Sequence, residues 1–160
     1  MQTRSDVLPV RGSDTVDILL NDHTVIKRLL GDLTAAPDRG RRSAVLERLK
    51  EALTIHNATE ENLVYPALAE MASEKRESAH LYHETAEADV LVFQIDQLLK
   101  GGDEADFTAK AVQLRDAVFE HIEDEESKAF PALRERPEPE QTQRLTQSVR
   151  EFRGALHFDH

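Results

Sequence analysis

His56-Asn57-Ala58-Thr59-Glu60-Glu61-Asn62-Leu63-Val64-Tyr65-Pro66-Ala67-Leu68 recurs 65 residues later as His121-Ile122-Glu123-Asp124-Glu125-Glu126-Ser127-Lys128-Ala129-Phe130-Pro131-Ala132-Leu133. Each copy sets a His and a Glu four apart, follows with a second Glu, and closes on aromatic-Pro-Ala-Leu. On a helix, positions i and i+4 lie one turn apart on the same face. An imidazole and a carboxylate can therefore converge on one metal centre from each copy. A single His-x3-Glu is common; a duplicated one with a matched ending marks a repeated unit.

Outward from this pair, apolar residues follow a three-four rhythm. A first helix, capped at Ser13 or Asp14, carries Val16, Leu19, Leu20, His23, Ile26, Leu30 and Leu33 on one side. Pro37 to Gly40 interrupts it. The second helix is expected from near Ser43 to Pro66, and the third from about Ser78 to Leu99 with Val90, Leu91, Ile95 and Leu98 inward. Gly101-Gly102 stops the third, and the fourth runs from about Ala105 to Ala129. A shift of 64 residues lays His23, Ile26 and Leu29 over Glu87, Val90 and Phe93, so helices one and three also read as a repeat. The expected fold is all-α, an up-down four-helix bundle over residues 13–135. A flexible lead over 1–12 precedes it, and 136–160 adds a short C-terminal helix through Leu145, Val149, Phe152 and Leu156.

Composition narrows the function. The 160 residues fit one domain with a real core, and no apolar run approaches the roughly 20 residues that span a bilayer. A net charge of -11 argues against nucleic acid, because a phosphate-binding surface concentrates Lys and Arg. With no cysteine, any metal must be held by nitrogen and oxygen, and no disulfide or thiol nucleophile exists. No secretory leader is visible, so the cytoplasm is the expected location.

The expected ligands are His23 from helix one, His56 and Glu60 from helix two, and His121 and Glu125 from helix four. Helix three offers His83 with Glu87, or alternatively His80 with Glu84, both at i, i+4 spacing. The preferred set holds four imidazoles and three carboxylates, too many for one ion and suited to two octahedral ions sharing carboxylates. Mixed imidazole and carboxylate ligation favours iron, with manganese less so. Metal cations also remove the cost of burying three carboxylates. Glu61 and Glu126 are expected to be exposed or to support the ligands, Tyr65 and Phe130 to pack as aromatic wedges beside proline, and Tyr82 to sit at the boundary. His157 and His160 have ligand-like spacing near the terminus and are assigned no role.

On Asp22-His23, the two His-x3-Glu motifs with Tyr65-Pro66 and Phe130-Pro131, and the His/Glu cluster of helix three, the chain resembles the hemerythrin-like (HHE cation-binding) family over roughly Asp14 to Leu133. The resemblance implies an oxo- or hydroxo-bridged pair of iron ions with a position open to O2 or another small ligand. It makes Glu60 and Glu125 bridging carboxylates and His23, His56, His83 and His121 terminal ligands. Many members carry His-x3-His in helix three, where this chain has His83-x3-Glu87. An added carboxylate would favour the ferric pair and disfavour reversible O2 carriage. The expected activity is therefore reaction with hydrogen peroxide, O2 or nitric oxide, with peroxide disproportionation foremost and the metal centre itself as catalyst. The alternatives are a sensor of O2, iron or redox state, and a reversible carrier of O2 or iron. No nucleic-acid or membrane partner is expected, and either a monomer or a dimer is compatible with the chain.

Overall fold

In the computed structural model, which describes residues 2–3, 6–102, 104–156 and 158–159, four long helices form the expected bundle. The first, α1 (Thr15–Ala35), starts where the Asp14 carboxylate accepts the Asp17 N–H at 2.8 Å. Asp38 opens α2 (Arg39–Thr59) in the same way, accepting from Arg41 at 2.8 Å. Each cap satisfies a donor that has no partner within the helix. The expected start near Ser43 is thus four residues late: Asp38 caps directly after Pro37, and Gly40 lies within the first turn.

A short α3 (Tyr65–Met71) leads to α4 (Lys75–Gly101), which Gly102 terminates at φ 73°, turning its N–H back onto Leu98 and Leu99. Then follow α5 (Phe107–Asp124), a short α6 (Phe130–Glu135), and α7 (Pro139–Ala155), opened by a reciprocal Glu138–Gln141 capping box. Helix α1 packs on α2 and α5, and α4 packs on the same two, closing a ring of four; α7 lies across α1 and α2. A two-residue antiparallel pairing joins Gln2–Thr3 to Phe158–Asp159. His157 and His160 fall outside the described residues. Before α1, Val7 and Leu8 are buried in the core. Leu8 also accepts a hydrogen bond from Arg153 Nη2 at 2.9 Å.

Two π-helical turns position the site. Glu60–Val64 and Glu125–Ala129 each widen the helix by one residue, with the Tyr65 N–H reaching Glu60 O and the Phe130 N–H reaching Glu125 O. Pro66 and Pro131 follow directly. Proline offers no N–H to the carbonyl four residues back, and its ring collides with that carbonyl in a regular helix. The wider turn relieves that conflict and brings residue i+5 beneath residue i. Tyr65 and Phe130 therefore lie under Glu60 and Glu125.

The apolar interior divides into two clusters. One gathers Ile26, Leu30, Leu33, Leu46, Leu49, Ile95, Phe107 and Leu114; the other gathers Val16, Leu19, Tyr65, Leu68, Leu81, Phe130, Leu133 and Val149. Where the helices pass from one cluster toward the other stand His23 of α1, His56 of α2, His121 of α5, and Glu60 and Glu125 at the starts of the π turns, all buried. A polar layer thus crosses the middle of the bundle.

Candidate metal centre

Five of the predicted ligands meet in this layer. His56 Nε2 stands 2.9 Å from Glu60 Oε1, His23 Nε2 is 3.8 Å from Glu125 Oε2, and His121 Nε2 touches Glu125 Oε1 and lies 4.0 Å from Glu60 Oε1. Donor atoms of His23, His56, Glu60 and Glu125 all fall within 4.8 Å of one another. The His23 and His56 rings meet edge to face with centroids 4.9 Å apart.

The outward nitrogen of every imidazole is held by a carboxylate. His23 Nδ1 lies 2.9 Å from Glu126, His56 Nδ1 lies 3.0 Å from Asp22, and His121 Nδ1 lies 3.3 Å from Glu84. A carboxylate behind the ring fixes its tautomer, orients it and raises its basicity toward a metal. Asp22 is anchored in turn by Arg153, which reaches its two oxygens at 2.8 and 3.1 Å. On the inner side, His23 Nε2, His56 Nε2, Glu60 Oε2 and Glu125 Oε2 are buried without a hydrogen-bond partner. Buried polar atoms are normally satisfied. Four unsatisfied donor atoms facing one volume, with every outer atom satisfied, is the arrangement a cation completes.

Helix three departs from expectation. His83 and Glu87 pair with each other at 3.1 Å on the outer surface, 70% and 64% exposed, and neither approaches the centre. The alternative pair also stays out: His80 is half exposed, and Glu84 supports His121 from behind rather than facing the ions. The buried stripe of α4 runs through Ser78, Leu81, Thr85, Leu91, Ile95 and Leu99. At about 100° per residue, His83 lies two residues and roughly 200° beyond Leu81, on the opposite face. At the level of the site, helix three presents Leu81 and Thr85 and supplies no imidazole.

In its place is Tyr65, expected only to pack. Its hydroxyl is buried 3.1 Å from Glu60 Oε1, 3.2 Å from His121 Nε2, 3.4 Å from Thr85 Oγ1 and 3.5 Å from Glu125 Oε1. The matched aromatic, Phe130, stacks on the His23 ring at 5.4 Å. The signal for Tyr65 lay in its own motif: five residues after Glu60, with a proline next, it comes under the carboxylate only through a π turn.

The electrostatics are those of a site built for cations. Burial alone would raise the Glu60 carboxyl, but the charge on the nearby His56 and hydrogen bonds from Glu125 and His121 bring it well below its ordinary range. Burial and the Glu60 charge push Glu125 well above it. Burial and the neighbouring His56 lower His23 to about 4. Against burial, Glu60 and Asp22 hold His56 up to about 10, and bonds to Glu125, Glu60 and Glu84 hold His121 up to about 12. Tyr65 is raised well above its ordinary value by burial and the two carboxylates, so its hydroxyl stays protonated.

At neutral pH the metal-free centre keeps protons on His56 and His121, which a metal must displace. Both imidazoles titrate above pH 7, so affinity climbs with pH across the neutral range, with log K rising about 2 per unit. Titration calorimetry in buffers of different ionisation heat reads the released protons directly; a heat independent of buffer contradicts this protonation scheme.

The fold and the layer define a metal-binding four-helix bundle. Residues 14–133 match the Hemerythrin HHE cation binding domain, and the chain belongs to that family. A protein of Nostoc sp. (strain PCC 7120) named DNA nickase is 30% identical over 139 residues, 87% of this chain and 38% of that protein. The chain thus spans less than two fifths of that relative's length. Among the described residues, no helix is long and apolar enough to cross a membrane.

Proposed function

We propose that the centre holds non-haem iron and reacts with small oxidants, hydrogen peroxide first among them. The observation that carries this reading is the composition of the buried layer: three imidazoles, two carboxylates and one phenol, with Leu81 and Thr85 where helix three could have added ligands. Such a set underfills two octahedral ions and leaves positions for a small molecule, and N/O donors of this kind suit iron. Glu87 is on the surface and adds no carboxylate at the metals. The reading rests instead on the underfilled set and Tyr65.

Iron bound by His23, His56, Glu60, His121 and Glu125 would supply the electrons and the Lewis acidity. The chain does the rest. Burial of every donor limits access to molecules the size of O2, nitric oxide or peroxide. Disproportionation reduces one peroxide to two waters, consuming two electrons and two protons, and oxidises a second to O2, returning both. Tyr65, a protonated hydroxyl within reach of both carboxylates, is placed to give and recover a proton during that exchange. Iron analysis together with O2 evolution tests this. About two irons per chain, with O2 released on adding peroxide, is the expected result; iron-loaded protein that leaves peroxide intact refutes the reaction.

A second reading comes from the relative named DNA nickase. Strand cleavage would have to act at a distance, because the buried layer cannot touch a phosphate and a net charge of -11 repels one. Conversion of supercoiled to nicked plasmid by iron-loaded protein, undiminished by a peroxide scavenger, would favour it over peroxide chemistry.

A further inference from the structure

Among the described residues, one other group of ligating side chains converges. His80 and Glu84 stand one turn apart on α4 with Nε2 and Oε1 3.3 Å from each other, and Asp124, at the end of α5, brings Oδ2 to 3.4 Å from the same nitrogen. The three donor atoms lie within 4.8 Å of one another. Exposure falls from solvent inward: 51% for His80, 23% for Asp124 and 13% for Glu84. Lys128 meets the other oxygen of Asp124, Oδ1, at 3.5 Å, leaving Oδ2 to His80.

A salt bridge to a protonated His80 is the plain alternative, and exposed pairs of that kind contribute little. The trio differs from such a pair in what lies behind it. Glu84 Oε1 is also 3.3 Å from His121 Nδ1. His121 is the least buried of the five ligands of the centre; the other four are sealed from solvent. His80, Glu84 and His121 therefore make a continuous series of polar side chains from bulk water to the polar layer. A buried centre has to be filled by a cation that sheds its water, and side chains that replace that water stepwise provide a path.

We infer that His80, Glu84 and Asp124 form a second cation site, for a divalent transition-metal ion such as Zn(II) or Fe(II), on the route by which metal reaches the centre. One imidazole with two carboxylates suits such ions, whereas Ca(II) and Mg(II) take oxygen ligands. Binding exchanges coordinated water for three side-chain donors and moves no electrons; a protonated His80 releases its proton to solvent. The loading role rests on the buried layer being the metal centre proposed above. Binding at the outer trio does not.

Zn(II) added to the metal-free full chain tests both parts. By equilibrium dialysis, His80→Ala/Asp124→Asn binds one equivalent fewer than the wild-type chain, and its metal-free melting temperature changes by no more than about 2 °C, since neither side chain is buried. Equal stoichiometry overturns the outer site. Glu125→Gln, which disables only the buried centre, keeps the outer equivalent; if it instead binds as much as wild type while the double variant loses one, the outer site stands and the buried-centre reading falls. In stopped flow, filling of the centre is followed by tyrosine fluorescence and slows at least about tenfold in the double variant, with final occupancy of the centre unchanged. Identical filling rates overturn the loading role.

Discussion

Glu125→Gln binds metal at least about 100-fold more weakly than the wild-type chain, while its metal-free form melts within a few degrees of wild type. The two halves of this expectation share one cause. Without metal, burial and the nearby Glu60 charge push Glu125 toward its protonated form. Glutamine copies the shape and hydrogen bonding of that neutral acid: its amide can donate toward Glu60 as the protonated acid does, and its oxygen can accept from His121. What it cannot do is lose the proton and become an anionic ligand. Metal content after dialysis, set beside calorimetric unfolding of the metal-free protein, checks both halves. Full retention of metal would show that Glu125 is not a ligand. A fall of more than about 10 °C in melting temperature would show that it is ionised in the metal-free fold.

The second large effect lies outside the polar layer. Arg153 is buried with both Asp22 oxygens and the Leu8 carbonyl as its partners, and Asp22 in turn holds His56. Arg153→Met removes the cation and leaves Asp22 buried beside a single imidazole, a change that costs about 3–5 kcal/mol. For a domain of this size that is a fall of about 6–20 °C in melting temperature. Asp22→Asn in the same chain restores much of the stability, because the buried anion is gone. It does not restore metal affinity, since His56 has lost the carboxylate behind it. Urea unfolding of the two single variants and the double variant supplies the coupling energy; strictly additive losses would mean that the pair does not act as a unit.

Much of the fold and of the site is legible in the sequence. The heptad-like rhythm of Val16, Leu19, His23, Ile26 and Leu30, and the duplicated motif, point to a bundle with α2 and α5 as related helices, and His56, Glu60, His121 and Glu125 meet as their spacing demands. Helix three was misphased, for one reason. Reading Val90 as inward rotates α4 by about half a turn and brings His83, one heptad earlier, in with it. In the fold Val90 and Phe93 are 55% and 63% exposed, while their repeat partners Ile26 and Leu29 are buried. The repeat between helices one and three holds in length but not in the face each presents. Thr85 gave no warning, since an isolated threonine on an apolar stripe has no ligand spacing to notice. Arg153 lay beyond reach for a different cause: its partner is far off in the chain, and periodicity reports only on neighbours along one helix.

The unlike aromatics after the two π turns make the duplication chemically lopsided. Backbone and proline are common to both halves, yet one half sets a hydroxyl among the carboxylates and the other lays a plain benzene ring on an imidazole. Under the proposed reaction with oxidants, the phenol of Tyr65 is the more readily oxidised of the two rings and Phe130 the inert one. Exchanging those two residues would carry the hydroxyl to the side of His23 and leave the other ligands where they are.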